Sequence, residues 1–202
     1  WAAMTYDSAR QVVVLFDGVG GSADTWTWDG TDWTQASPAH SPPSRDGGSM
    51  VFDPIRNDVV LFGDDSSGSD SDTWTWDGTD WTLRSPAHSP AGRGFQAMAW
   101  DSARGRVVLF GGKNWWSSTV YSDTWTWDGN DWVLESPSSS PPASGYGALG
   151  YDPVDHQLVL FGGYESVGSS QTWTRTYAPP NVVEPVVTVD RKSTRLNSSH
   201  VA

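Results

Sequence analysis

Between residues 49 and 84 the chain sets short apolar runs between turns rich in Asp, Gly and Pro. Residues 49–52 are small and apolar. Asp53-Pro54-Ile55-Arg56-Asn57 reads as a turn, with Pro54 preset for its first central position. Residues 59–62 are apolar without alternation, the pattern of a strand buried on both faces. Gly63 ends that run. Residues 73–76 alternate Thr and Trp, a strand with two unlike faces. Asp77-Gly78-Thr79-Asp80 is a tight hairpin turn, and 81–84 is an outer strand. No segment combines a helical period with caps, so almost no helix is expected.

This four-strand unit repeats. Asp24-Thr25-Trp26-Thr27-Trp28-Asp29-Gly30 recurs at 72–78 and 123–129, with a worn copy at Gln171-Thr172-Trp173-Thr174. An aromatic-Asp pair falls at Tyr6-Asp7, Phe52-Asp53, Trp100-Asp101 and Tyr151-Asp152, at spacings of 46, 48 and 51. Leu-Phe recurs at 15–16, 61–62, 109–110 and 160–161. Three anchors in one constant order predict stacked units of a propeller or solenoid. The residues resemble the kelch family: a Gly-Gly doublet after an apolar strand (Gly111-Gly112, Gly162-Gly163), then Trp76-Asp77 and Trp81. Asp17-Gly18 and Gly63-Asp64 depart from the doublet, and the fourth repeat lacks the Asp-Gly hairpin and the final Trp. The resemblance covers residues 1–178 and implies an all-β kelch-type β-propeller. Four four-stranded blades, at about 1–45, 46–93, 94–144 and 145–178, would form a partial ring or open arc.

The ends carry their own expectations. The chain opens on Trp1 rather than Met, so it is read as a fragment whose missing blades lie mostly upstream. Residues 179–189 form a Pro-rich exit linker. Asp190 to His200 resembles the translation of a sequencing-library adapter, so 190–202 is set aside as an artefactual, disordered tail.

Charge narrows the partners. The chain carries 24 Asp and Glu against 12 Lys and Arg, a net charge of −12. Much of this is turn chemistry, but so acidic a surface repels phosphates, which argues against nucleic acid and anionic membranes. No run is long and apolar enough for membrane insertion. The chain has no Cys, which by itself selects no compartment; an extracellular or cell-surface location is expected.

Three Trp per repeat suggest carbohydrate binding, but Trp26, Trp28 and Trp33 recur at identical places in three repeats. A ligand needs one site, whereas blade packing needs the same side chain in every blade, so these are read as glue. Trp115 and Trp116 have no counterparts and lie on an insertion with Tyr121 near its end. Strands alternate in direction, so the loops 17–23, 63–71, 111–122 and 162–170 share an edge with the linkers 37–47, 85–94 and 136–145. These segments vary, and the opposite edge keeps short turns. The binding candidates on the variable edge are Trp115, Trp116, Tyr121, Arg45, Arg93, Tyr164, Tyr146, His40 and His88. Arg45 and Arg93 suit a bidentate carboxylate clamp, supplied by a ligand or by a blade Asp. His40 and His88 lie in matching Ser-Pro-Ala-His-Ser-Pro linkers, which points to linker geometry.

Asp64, Asp65, Asp70 and Asp72 offer oxygens of the kind Ca²⁺ takes, but without the regular Asp-x-Asp-x-Asp-Gly spacing. The loop is read as solvated, with no resident metal or cofactor. Galactose-oxidase-like copper enzymes also carry kelch propellers, and their chemistry needs a Cys joined to Tyr plus His ligands. This chain has no Cys, and His40, His88 and His156 lie in unrelated turns. Residues 27–33 are superficially close to a sialidase Asp-box, but the adjacent Asp and Gly fit a hairpin turn. The expected function is a non-catalytic interaction domain binding a protein or glycan through the variable edge. The alternative is the propeller scaffold of a secreted enzyme, copper-radical-oxidase-like or glycan-active, with its catalytic residues elsewhere.

Overall fold

The structure, a computed structural model, describes residues 2–17, 23–63, 71–164 and 170–177. Every regular element among them is a strand. Blade one contains β1 (Ala2–Asp7), β2 (Val12–Asp17), β3 (Asp24–Trp28) and β4 (Trp33–Gln35). Blade two contains β5 (Ser49–Asp53), β6 (Asp58–Phe62), β7 (Thr73–Trp76) and β8 (Trp81–Arg84). Blade three contains β9 (Ala97–Asp101) and β10 (Arg106–Phe110), then the inserted hairpin β11 (Lys113–Asn114) and β12 (Thr119–Val120), then β13 (Thr124–Trp127) and β14 (Trp132–Glu135). Blade four contains β15 (Ala148–Asp152), β16 (Gln157–Phe161) and β17 (Thr172–Thr176).

The sheets are antiparallel and meander from inside out. The expectation of four four-stranded blades holds for the first three. The fourth has three strands among the described residues, and its sequence lacks the Asp-Gly turn and Trp that start the outer strand in the other blades. The linker 179–189 and the tail 190–202 lie outside the described residues.

The inner strands stack in sequence: β1 on β5, β5 on β9, and β9 on β15. Blades therefore bury both sheet faces, which explains the unbroken apolar runs. Val59 and Leu61 join Val14, Phe16 and Trp81 in the seam between blades one and two. Val60 and Phe62 turn the other way and join Val107, Leu109 and Trp132 in the seam between blades two and three. One indole closes each of these two seams. Trp81 meets Phe16 edge-on at 5.5 Å and donates its N–H to Thr25 Oγ1 at 2.7 Å. Trp132 meets Phe62 at 5.3 Å and donates to Thr73 Oγ1 at 2.9 Å. The repeated tryptophans of blades two and three are thus packing residues.

The aromatic-Asp anchor closes the short-turn edge. Asp53 Oδ1 accepts the N–H groups of Ile55 and Arg56, while its Oδ2 accepts Arg56 Nη1 at 2.7 Å. Asp7 with Arg10 repeats the arrangement, and so does Asp101 with Arg104 through its Nε. Arg56 then reaches the carbonyl of Asp128 in blade three, as Arg10 reaches that of Asp77 in blade two. These arginines cross over Gly129 and Gly78, where any Cβ would collide with them. The glycine of the hairpin turn is therefore demanded twice, by its positive φ and by the neighbouring blade.

Candidate functional site

The variable edge is organised by three equivalent residues, Gly47, Phe95 and Tyr146. Each stands two residues before an inner strand, and all have positive φ, at 108°, 57° and 62°. The Phe95 N–H donates to Gly47 O at 2.7 Å, and the Tyr146 N–H donates to Phe95 O at 2.8 Å. The chain thus climbs from blade to blade, and each ring lies over the preceding residue. A Cβ on Gly47 would fall 2.8 Å from the Phe95 ring, which leaves glycine as the residue that fits beneath it. Tyr146 stacks on Phe95 with ring centroids 4.4 Å apart and planes at 26°.

The inserted hairpin adds a third ring. Lys113 pairs with Gly94 as an isolated antiparallel bridge, which fixes β11 beside the linker that carries Phe95. Trp115 at the turn meets Phe95 edge-on at 5.9 Å, and the Lys113 ammonium lies 4.2 Å from the Trp115 ring centre. Asn114 Oδ1 accepts the N–H groups of Trp116 and Ser117, which shapes the turn. Trp116 projects from it with 74% of its surface exposed. Tyr164, also exposed, is bridged to Gly145 next to Tyr146. The structure therefore gathers Trp115, Tyr146 and Tyr164 on one edge with Phe95, which the sequence reading passed over. Its signal was present: Phe95 and Tyr146 occupy the same position of successive repeats.

Arg45 and Arg93 are elsewhere in role. Both are buried, and the carboxylate each clamps is the chain's own. Arg45 binds Asp72 through Nη1 at 2.9 Å and Nη2 at 3.0 Å, donates Nη1 to Gly63 O, and donates Nε to Pro43 O. Arg93 repeats this with Asp123, Gly111 O and Ala91 O, and its guanidinium lies 3.6 Å from the Tyr121 ring centre. Tyr121 is thereby a cover for that ion pair. Burial pushes the Asp123 carboxyl up, but the Arg93 hydrogen bonds and charge, with the Trp125 N–H, outweigh it and hold the group below its ordinary range.

His40 and His88 also leave the group expected of them. His40 gives its backbone N–H to Asp80 Oδ1 at 2.8 Å, and its Nδ1 lies 2.7 Å from Asp80 Oδ2. Asp80 belongs to the β7–β8 turn, on the short-turn edge, so the linker runs along the outer strand of the next blade. His88 repeats the contact with Asp131. These hydrogen bonds hold the Asp80 and Asp131 carboxyls below their ordinary values.

Of the calcium candidates, Asp72 is engaged by Arg45 and by the Trp74 N–H, while Asp64, Asp65 and Asp70 lie outside the described residues. Among the described residues no group of three His, Cys, Asp or Glu could hold a metal ion. No helix among them is long and apolar enough to cross a membrane.

No protein-family model matches the sequence, and no curated protein does. Solved structures do match in fold. The structure of YjhT aligns with a TM-score of 0.62 at 15% identity, over 80% of this chain and 58% of YjhT. The chain is thus a β-propeller arrangement that spans 58% of the length of that neighbour.

Proposed function

We propose that this chain is part of a kelch-type propeller that acts as a non-catalytic glycan-binding module. Kelch character is supported by the Gly111-Gly112 and Gly162-Gly163 doublets, all at positive φ directly after a second strand. Binding rests on one observation, the partly exposed cluster of Trp115, Phe95 and Tyr146 on the variable edge. A ring face at the end of a stack offers a flat apolar platform to the C–H face of a sugar, with the Tyr hydroxyl as a polar handle. The acidic chain favours neutral or basic glycans over phosphorylated or sulfated ones.

The test is a glycan array probed with the labelled chain, followed by titration of the best ligand. Trp115→Ala and Tyr146→Ala should each weaken binding at least about tenfold, with thermal stability retained. Equal binding by both variants would remove the site from this edge. A chain that ignores glycans but captures a protein in a Trp115-dependent way would replace glycan by protein as the ligand class.

A further inference from the structure

The seam between blades three and four lacks the indole that closes the other two. Phe110 and Thr124 are the counterparts of the pairs Phe16 with Thr25 and Phe62 with Thr73, which hold Trp81 and Trp132. Around Phe110 and Thr124 there is instead a cavity, walled by Val108, Leu158, Trp173 and Arg175 among others. Arg175 stands where blades two and three have Trp76 and Trp127, the residues that pack on the closing indole at 5.5 Å. A second observation coincides with the cavity. In the first three blades the third strand pairs outward with a fourth. β17 pairs with β16, and among the described residues nothing pairs with its other side.

We propose that this cavity and the side of β17 left unpaired among the described residues together bind an extended segment of another polypeptide led by Trp. The filled seams show the chemistry recognised. The segment would run antiparallel to β17, insert its indole edge-on against Phe110, and donate its N–H to Thr124 Oγ1. Arg175 would lie against the indole as a cation–π partner. Both natural plugs share the sequence Asp-Trp-x-Leu (Asp80-Trp81-Thr82-Leu83 and Asp131-Trp132-Val133-Leu134), and that is the motif expected in the partner. Strand addition to an open edge supplies affinity through the backbone, while the side-chain socket supplies selectivity. The site is separate from the aromatic cluster of the variable edge.

The probe is a fluorescein-labelled peptide with the sequence of residues 80–86, titrated into the full chain and followed by anisotropy. Saturable binding is expected, with slower hydrogen exchange at the β17 amides. Replacing the peptide Trp with Ala should weaken binding more than about thirtyfold. Thr124→Val should weaken it roughly fivefold, the loss of one hydrogen bond. Thr25→Val makes the same change at a filled seam and should leave peptide affinity unaltered. Absent binding, equal binding of the Ala peptide, or an equal loss in Thr25→Val would overturn the proposal. So would β17 amides already protected in the free chain, which would mean that the chain covers this edge itself.

Discussion

The seam between blades two and three and the seam between blades three and four use the same strand positions and differ in what fills them. In the first, Phe62 is fully buried beneath Trp132, Arg93 locks the linker to Asp123, and Arg56 ties the opposite edge to Asp128. In the second, each device is missing or changed. The lock positions hold Ser144 and Gln171, and the counterpart of Arg56 in this seam is Arg104 of blade three. Arg104, without a hairpin turn to reach across to, pairs with Glu135, which also takes Arg175 and the Tyr177 hydroxyl. The Tyr177 ring lies 3.3 Å from the Arg104 guanidinium. Burial, with the Glu135 charge, pushes the Tyr177 phenol well up. One seam is therefore an apolar plug ringed by locks, and the other is a charged patch beside a cavity. A propeller seam can evidently be made either way: Phe110, the counterpart of Phe62 in the second seam, is also buried, while Phe161, on the face of blade four turned away from blade three, is 46% exposed.

The contrast can be broken most sharply at Trp132. Trp132→Ala deletes a fully buried plug and should cost about 3–5 kcal/mol in denaturant unfolding, whereas Phe161→Ala, on the face of blade four that no described blade covers, should cost under about 1 kcal/mol. Arg93→Ala strands a half-buried Asp123 and should cost roughly 2–3 kcal/mol, toward the low end for a broken buried pair because solvent reaches the carboxylate.

A smaller effect has the opposite sign. Asp58 is buried with one oxygen unpartnered and Arg84 3.5 Å away. Burial, with the nearby Asp53 charge, pushes its carboxyl up from 3.8 to about 6. Its folded value is raised, so its contribution is fully present below 3.8 and is lost as pH rises through about 6. Asp58→Asn should therefore stabilise the chain at pH 7.5, by on the order of 1–2 kcal/mol after allowing for solvent and Arg84, and by progressively less as pH falls toward 3.8. Asp77, Asp123 and Asp128 are lowered, so their contributions persist above 3.8 and fade as pH falls below it. Thermal melts across pH should peak between about 4 and 6, and Asp58→Asn should flatten the alkaline side of that peak.

The strands were readable because each apolar run, Asp turn and Asp-Gly hairpin is a local pattern, and its repetition removed the ambiguity of any single copy. The packing role of Trp81 and Trp132 followed from the same repetition, whereas their blade-one counterpart Trp33 is 39% exposed. What could not be read were pairings across sequence. The carboxylate that Arg45 clamps lies 27 residues away, and the Asp that holds His40 lies 40 away. Nothing local separates an arginine waiting for a ligand from one already matched to Asp72. Phe95 was passed over for a related reason. Its importance comes from stacking on Tyr146, a contact between blades, and only its place in the repeat marks it.

The stepwise packing of β1, β5, β9 and β15 carries one more consequence. Each blade meets its sequence neighbours, and β1 and β15 have no comparable contact. Cohesion in such an array is a sum of nearest-neighbour terms, like coaches held by couplings, so failure begins at the weakest coupling. Opening should start at blade four, with the amides of β16 and β17 exchanging before those of β6 and β10. The same modularity makes length an adjustable quantity: adding or removing a whole blade changes the molecule by one coupling and leaves the interior of every other blade as it was.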